Sequence, residues 1–423
     1  MDMINKKHYL TVIIIAHNEG SVVGKTIDSL FDAVKEIRKR MNVRCDFLVN
    51  IDKGDKETIK YFESYVNGKD IKINYTNFGD PGLARNAAIR KAKGEYLALI
   101  DADDIVSHNW LKNGLERLRD ASLRDVVHPE TEIRFDRKKI KSCSIREEYT
   151  DYWRETLALI GGNRWCSVVM GRREVFKRCK YPSSKNGFGY EDYYFNCSVV
   201  KSGGRNLVAR GTTAFCFQKD ISVTTRTHAD HKVLAFHRLF NIKDLQKKMK
   251  VFGFPEVKKI NSSNIKIPET IKPEIECLAR KYKDFKKYLI DDFAEVEIGV
   301  SGRDADLIVG ENFCRLFSEL NLRFLPKKIY FVDNCKLGQR KCYQEWVILM
   351  SQEAKVNPEC GNTINFFKYF GPLSVEVQNE MIARLIVQVK PKKIIVGEFM
   401  IDWVKKHRTF LKMNKITVVF NKE

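Results

Sequence analysis

The sequence predicts an α/β protein. It has a doubly wound N-terminal unit, a lysine-rich helical bridge, and a second, smaller α/β Rossmann-like unit. Three features carry that prediction. Apolar, strand-length runs recur, each ending in a polar or acidic turn. Helix-like stretches separate them, as parallel crossover connections require. The same alternation resumes after a lysine-rich interval, and 423 residues are enough for two domains.

The first strand is Leu10 to Ala16 (LTVIIIA), followed by His17, Asn18, Glu19 and Gly20 and a helix-like stretch from Val22 to Arg40. A second strand, Cys45 to Ile51, ends in Asp52, Lys53, Gly54 and Asp55. Asp52 can accept a hydrogen bond from a base N–H, and Asp55 is read as the cap of a helix beginning at Thr58. A helix-like segment then carries Arg85 and Asn86. The Arg85 guanidinium can pair with a phosphate or with an aspartate, or lie exposed on the helix face.

The apolar run Tyr96 to Ile100 ends in Asp101, Ala102, Asp103 and Asp104. Ligands of open α/β sheets bind beyond the carboxyl ends of strands. Residues two apart on a strand face one side, and paired oxygen ligands suit a hard divalent cation, Mg²⁺ or Mn²⁺, which can hold a diphosphate. A nucleotide-diphosphate substrate follows from that reading. Taken alone, DADD also fits an acidic turn capping the next helix.

The ordered blocks VIIIAHNEG, DKGDKET and NFGDPGLARNAAIRKAKGEYLALIDADD resemble the donor-binding half of glycosyltransferase family 2, inverting enzymes with the GT-A fold. The resemblance covers about residues 8–235. It implies an N-terminal GT-A domain, that is, a Rossmann-like nucleotide-diphospho-sugar transferase. It also implies that Ala16, His17, Asn18 and Glu19 line the base and ribose and that Asp52 approaches the base. Arg85 would hold the pyrophosphate side, Asp101 approach the ribose or sugar, and Asp103 bind the metal. Ala16 stands where the family commonly has proline, which changes the turn more than the chemistry.

Inverting transfer also needs a base for the acceptor hydroxyl. In KNGFGYEDYYFNCSVV the resemblance implies Asp192 as that base and Glu191 as an acceptor-positioning or capping residue. WCSVVMGRRE, from Trp165 to Glu174, is similar to the strand and helix that precede the acceptor loop. In FCFQKDISVTTRTH the register puts Lys219 where a metal-binding histidine is often found. His228 or His231 is a ligand only if the loop is longer, and a lysine there can stabilise the diphosphate directly. The expected partners are a nucleotide-sugar donor, most often a UDP-sugar, and a glycan or lipid-linked glycan acceptor of bacterial surface polysaccharide synthesis.

Domain boundaries are expected at 1–235, 236–288 (the bridge) and 289–423. In the last unit, strands are expected at Glu295 to Val300, Lys328 to Val332, Lys392 to Val396 and Lys415 to Phe420. Helices are expected at Tyr343 to Glu353, Val375 to Val389 and Ile401 to Met413. This unit loosely looks like half of a GT-B-type enzyme that breaks off after a strand, and it carries no P-loop or GxGxxG.

The formal net charge is +21, which attracts anionic partners: an anionic membrane surface, an anionic glycan or nucleic acid. A basic nucleic-acid-binding protein on an α/β scaffold is the alternative from charge alone. No recognisable DNA or RNA module supports it, so nucleic acid is not the expected partner. No apolar run approaches the roughly 20 residues that span a bilayer, and the N-terminus lacks a signal-peptide core. A cytoplasmic protein, soluble or peripheral on the inner face of the membrane, is expected. Eleven cysteines without a CxxC read as reduced core thiols.

Overall fold

The computed structural model describes residues 8–66, 71–136 and most of 140–241. Beyond these it describes 297–300, 329–333, 345–349, 363–365, 393–396 and 401–420, with Ala383, Ile386 and Val387. The N-terminal unit opens β1 (His8–Ala16), α1 (Val23–Arg40), β2 (Val43–Asp52), α2 (Lys56–Val66), β3 (Ile71–Thr76), α3 (Pro81–Lys91) and β4 (Tyr96–Asp101). There follow β5 (Ile105–Val106), α4 (Trp110–Arg119), β6 (Val126–Phe135), β7 (Ile140–Ile145), β8 (Val169–Arg172) and α5 (Arg173–Arg178). β9 (Phe188–Gly189), α6 (Glu191–Lys201), β10 (Asn206–Phe217) and β11 (Val233–Leu234) complete it.

β1 lies between β2 and β4 and is parallel to both, and β3 continues the parallel set beyond β2. On the other side of β4 the sheet becomes mixed. β8 is antiparallel to β4 and to β6, β7 is antiparallel to β6, and β10 runs parallel to β6. The chain therefore leaves β1 toward β2 and β3, then crosses to β4 on the opposite flank. A crevice at such a reversal of strand order is where open α/β sheets bind ligands.

The uninterrupted apolar run of β1 follows from burial on both faces. Leu10, Val12, Ile14 and Ala16 pack with Val23, Ile27, Leu30 and Val34 of α1, whereas Ile13 and Ile15 pack with Ala84, Ala88 and Ile89 of α3. The second cluster continues through Phe176 of α5 to Phe195 and Val199 of α6, so α3 and α6 share one core. Burying one such aliphatic side chain contributes roughly 1.5–3 kcal/mol. Those contacts hold the β4 and α6 ends of the site at a fixed separation.

In the last unit, the strands Ile329–Asp333, Glu345–Leu349 and Thr363–Asn365 pair in parallel, as do Lys393–Val396 and Thr417–Phe420. The helix expected over Tyr343 to Glu353 is corrected to the strand Glu345–Leu349. Its EWVIL core is β-branched and aromatic and too short for helical periodicity to arbitrate. The expected helix Ile401 to Met413 breaks at His407 into Ile401–Lys406 and Arg408–Met413. The second of these packs its Phe410 ring edge-on to Phe188, just before α6. The bridge 236–288 and the GT-B-like reading lie largely outside the described residues. No helix among the described residues is long and apolar enough to cross a membrane, and the five described cysteines are buried and unpaired by disulfides.

Candidate active site

The carboxyl ends of β1, β2 and β4 each deliver polar side chains to the crevice. After β1, the Glu19 carboxylate accepts from the His17 backbone N–H at 2.5 Å, folding the turn back on itself. His17 Nδ1 lies 2.5 Å from the Asp52 carbonyl oxygen, and Asn18 Oδ1 accepts from the Asp55 N–H, so the turns after β1 and β2 are tied together. Asp55 also accepts from the Thr58 N–H at 2.8 Å, the expected cap, on a helix that starts two residues earlier, at Lys56.

Asp52 is buried, and its carboxylate accepts from the Phe78 and Asp80 N–H groups. It organises the loop before α3. Asp80, which the sequence reading passed over, caps α3 through the Leu83 N–H and accepts from Ser183 Oγ and the Ser184 N–H. It ties α3 to the loop that precedes α6. Its DPG context is an N-cap followed by proline at the first helical position, a signal legible in sequence.

Arg85 joins the two halves of the site. Its side chain is 5% exposed, and Nη2 donates to both oxygens of Asp101 at 2.7 and 2.9 Å. Nη1 donates to Glu191 Oε1 at 2.7 Å. Of the pairings open from sequence, the structure has the one with aspartate. Burial works against the Arg85 cation, and Asp101 and Glu191 more than offset it, holding the group above its ordinary range. The DADD strand and the ED helix, 90 residues apart in sequence by their first acids, are thus clamped by one guanidinium.

Asp192 stands in the first turn of α6, whose N-cap Tyr190 has a left-handed backbone, φ 62°. Asn163 Nδ2 donates to Asp192 Oδ2 at 2.8 Å, a partner with no motif to announce it. Burial pushes the Asp192 carboxyl up to about 7, the Glu191 charge adds to the rise, and Arg85 opposes it. A carboxyl poised there can exchange a proton near neutral pH.

Asp103 contacts Lys219 instead of an exposed solvent front. Lys219 Nζ lies 2.8 Å from Asp103 Oδ2 and 3.1 Å from Glu19 Oε1. Burial lifts the Asp103 carboxyl to about 6, Lys219 pulls it back, and Glu19 and Asp101 add to the rise. Among the described residues, no group of three or more His, Cys, Asp or Glu is arranged to hold a metal ion, and His228 lies outside them. Mg²⁺ and Mn²⁺ are commonly held by one or two carboxylates plus phosphate oxygens and water. Asp103 therefore fits a cation that arrives with its diphosphate, not one caged by protein alone.

A GT-A-like α/β fold with a curled mixed sheet and a carboxylate-lined crevice at its strand ends defines the class of this domain. Residues 11–179 match the model described as Glycosyl transferase family 2. Over 105 residues, 24% of this chain and 18% of the relative, it is 29% identical to the poly(ribitol-phosphate) beta-N-acetylglucosaminyltransferase TarS of Staphylococcus aureus (strain MW2). Over 169 residues, 38% of this chain and 62% of the relative, it is 26% identical to an uncharacterized glycosyltransferase of Haemophilus influenzae. The matches thus span less than two thirds of either relative. Among solved structures, S. aureus TarS 1-349 with UDP-GlcNAc superposes over 65% of this chain and 72% of that one, at 16% identity and TM-score 0.35. The mannosyltransferase PcManGT from Pyrobaculum calidifontis with GDP-Man and Mn²⁺ covers 65% and 70%, at 15% identity and TM-score 0.39.

Proposed function

We propose that this protein is an inverting glycosyltransferase. It would transfer a sugar from a nucleotide-diphosphate sugar, a UDP-sugar of the hexosyl or N-acetylhexosaminyl class, to a hydroxyl of a glycan or lipid-linked glycan acceptor in bacterial surface polysaccharide synthesis. The observation that carries the reading is the Arg85 clamp, which brings the strand end bearing Asp101 and Asp103 against the helix start bearing Glu191 and Asp192. A donor-side and an acceptor-side set of carboxylates then face one crevice. The TarS relative supports the N-acetylhexosamine class and an anionic, phosphate-containing acceptor polymer.

In this reading, Ala16, His17, Asn18, Glu19 and Asp52 form the wall for base and ribose, and Asp101, fixed by Arg85, borders the ribose or sugar. The acceptor oxygen attacks the anomeric carbon and loses its proton to Asp192, and the bond to the diphosphate breaks with the electron pair leaving on the nucleoside diphosphate. Glu191 and Arg85 position the base, and Lys219 meets the negative charge that develops on the leaving group. A Mn²⁺ or Mg²⁺ ion held by Asp103, with His228 as a further ligand, would add Lewis-acid stabilisation of that charge. The basic chain would sit on an anionic inner membrane face, in the cytoplasm.

The test is a thermal-shift panel of UDP, GDP, dTDP and CDP, with and without Mn²⁺, on the wild type and Asp103→Ala. A ligand that binds only the folded state stabilises it by about 2.7 kcal/mol at a hundredfold excess over Kd. UDP should give a shift that is larger with Mn²⁺, and the Mn²⁺ increment should vanish in Asp103→Ala. No shift with any nucleotide would overturn the reading.

A further inference from the structure

The carboxylate expected to take a metal is paired with a cation of the chain itself. Lys219 Nζ bridges Asp103 at 2.8 Å and Glu19 at 3.1 Å, so the donor-side acids from β1 and β4 are joined by an ammonium. Lys219 follows β10, which is pinned along β6. The Gln218 N–H donates to the Phe135 carbonyl, so the backbone adjoining Lys219 is held at the sheet. The side chain is 23% exposed and Asp103 18%, so the pair is neither sealed in the core nor loose on the surface. Short ion pairs in such partly desolvated positions attract more strongly than solvent-exposed ones.

An ammonium within 3 Å of an Asp103 oxygen occupies the ground on which a divalent ion would coordinate. The ammonium competes with a divalent ion for that oxygen's lone pairs and repels it electrostatically. We infer that Lys219 is a placeholder cation: it pairs with Asp103 where a metal would bind and shifts to the donor diphosphate when nucleotide and metal enter. This rests on the nucleotide-sugar reading for its second half only. Two consequences follow. Metal alone binds poorly, because Asp103 gives it few protein ligands and the ammonium paired there weakens its hold further. Nucleoside diphosphate retains affinity without metal, because Lys219 supplies a cation of its own. The exchange moves no covalent bond and needs no proton.

The experiment is carried out on the full chain with Mn²⁺ alone, followed by electron paramagnetic resonance, and with UDP in EDTA and in saturating Mn²⁺, followed by calorimetry. Lys219→Met and Lys219→Gln both remove the charge, and Lys219→Arg keeps it. Thermal unfolding establishes which variants are folded. Both neutral variants should bind Mn²⁺ alone at least fivefold more tightly than the wild type. They should also lose at least tenfold in UDP affinity in EDTA, with a smaller loss in Mn²⁺, and Lys219→Arg should track the wild type. Unchanged Mn²⁺ affinity in a folded neutral variant overturns the placeholder. Unchanged UDP affinity in EDTA overturns the exchange onto the diphosphate. Tighter Mn²⁺ binding together with no nucleotide binding by any form would uphold the placeholder and sink the nucleotide-sugar reading.

Discussion

Replacing Arg85 by methionine keeps an unbranched apolar stem but deletes a guanidinium shared by two carboxylates. Three hydrogen bonds at 2.7, 2.7 and 2.9 Å disappear. Glu191, with its side chain 11% exposed, and Asp101, at 29%, lose their common cation. Removing one partner of a buried ion pair costs about 3–5 kcal/mol, because the remaining charge stays desolvated. Asp101 is wet enough to be screened, so most of that loss falls on Glu191. For a domain of this size the loss corresponds to a drop in Tm on the order of 10 °C. The assay is denaturant unfolding of the wild type, Arg85→Met, and Arg85→Met combined with Asp101→Asn and Glu191→Gln. If the penalty is uncompensated charge, the triple variant recovers at least about half of it, since neighbouring sites couple non-additively. An Arg85→Met protein within about 1 kcal/mol of the wild type, or a triple variant no more stable than the single one, would refute the clamp.

Two further outcomes test the same geometry. Asp192→Asn should lower transfer by roughly 10²–10⁴ and abolish the rising limb of the pH–rate profile near pH 7. Because the folded carboxyl titrates at about 7 and its ordinary value is 3.8, protonation favours the folded state, and this stabilisation is lost as pH rises through about 7. Asp192→Asn should therefore be more stable than the wild type at pH 8, with the gain shrinking as pH falls from 7 toward 4; a pH-independent difference would contradict the assignment. Gly82→Ala should destabilise the protein by roughly 1–3 kcal/mol and weaken transfer, since overpacking displaces its neighbours. The added Cβ would lie 2.0 Å from the Pro182 carbonyl oxygen, on the loop leading to Glu191, and denaturation together with kcat and KM reads both effects.

The donor half was legible because it is local. β1, β2 and β4 announce themselves by apolar runs that stop at acids, and the turn chemistry of Asp55 needs only three residues of context. What the sequence could not display is pairing over distance. Arg85 looks the same on an exposed helix face as it does clamped between Asp101 and Glu191, residues 16 and 106 positions away. Asn163 reaches Asp192 from 29 positions away, and Lys219 reaches Glu19 across 200. The strand Glu345–Leu349 failed for another reason: a short apolar run has too few residues for its period to separate helix from strand.

Charge balance in the crevice explains why its cations matter more than their number suggests. The chain as a whole carries +21. Yet among the described residues Glu19, Asp101, Asp103, Glu191 and Asp192 gather around Arg85 and Lys219. The local field is therefore opposite in sign to the global one. Two of the acids respond by holding their protons, Asp103 to about 6 and Asp192 to about 7, with burial the largest cause in each. A nucleoside diphosphate drawn in by long-range positive potential would still be repelled at close range unless a cation accompanied it or one already present turned toward it. Arg85 cannot turn without releasing both Asp101 and Glu191, whereas the ion pairs of Lys219 are with Glu19 and Asp103. Under the proposed exchange, Lys219 would answer the diphosphate while the Arg85 clamp keeps α6 in place.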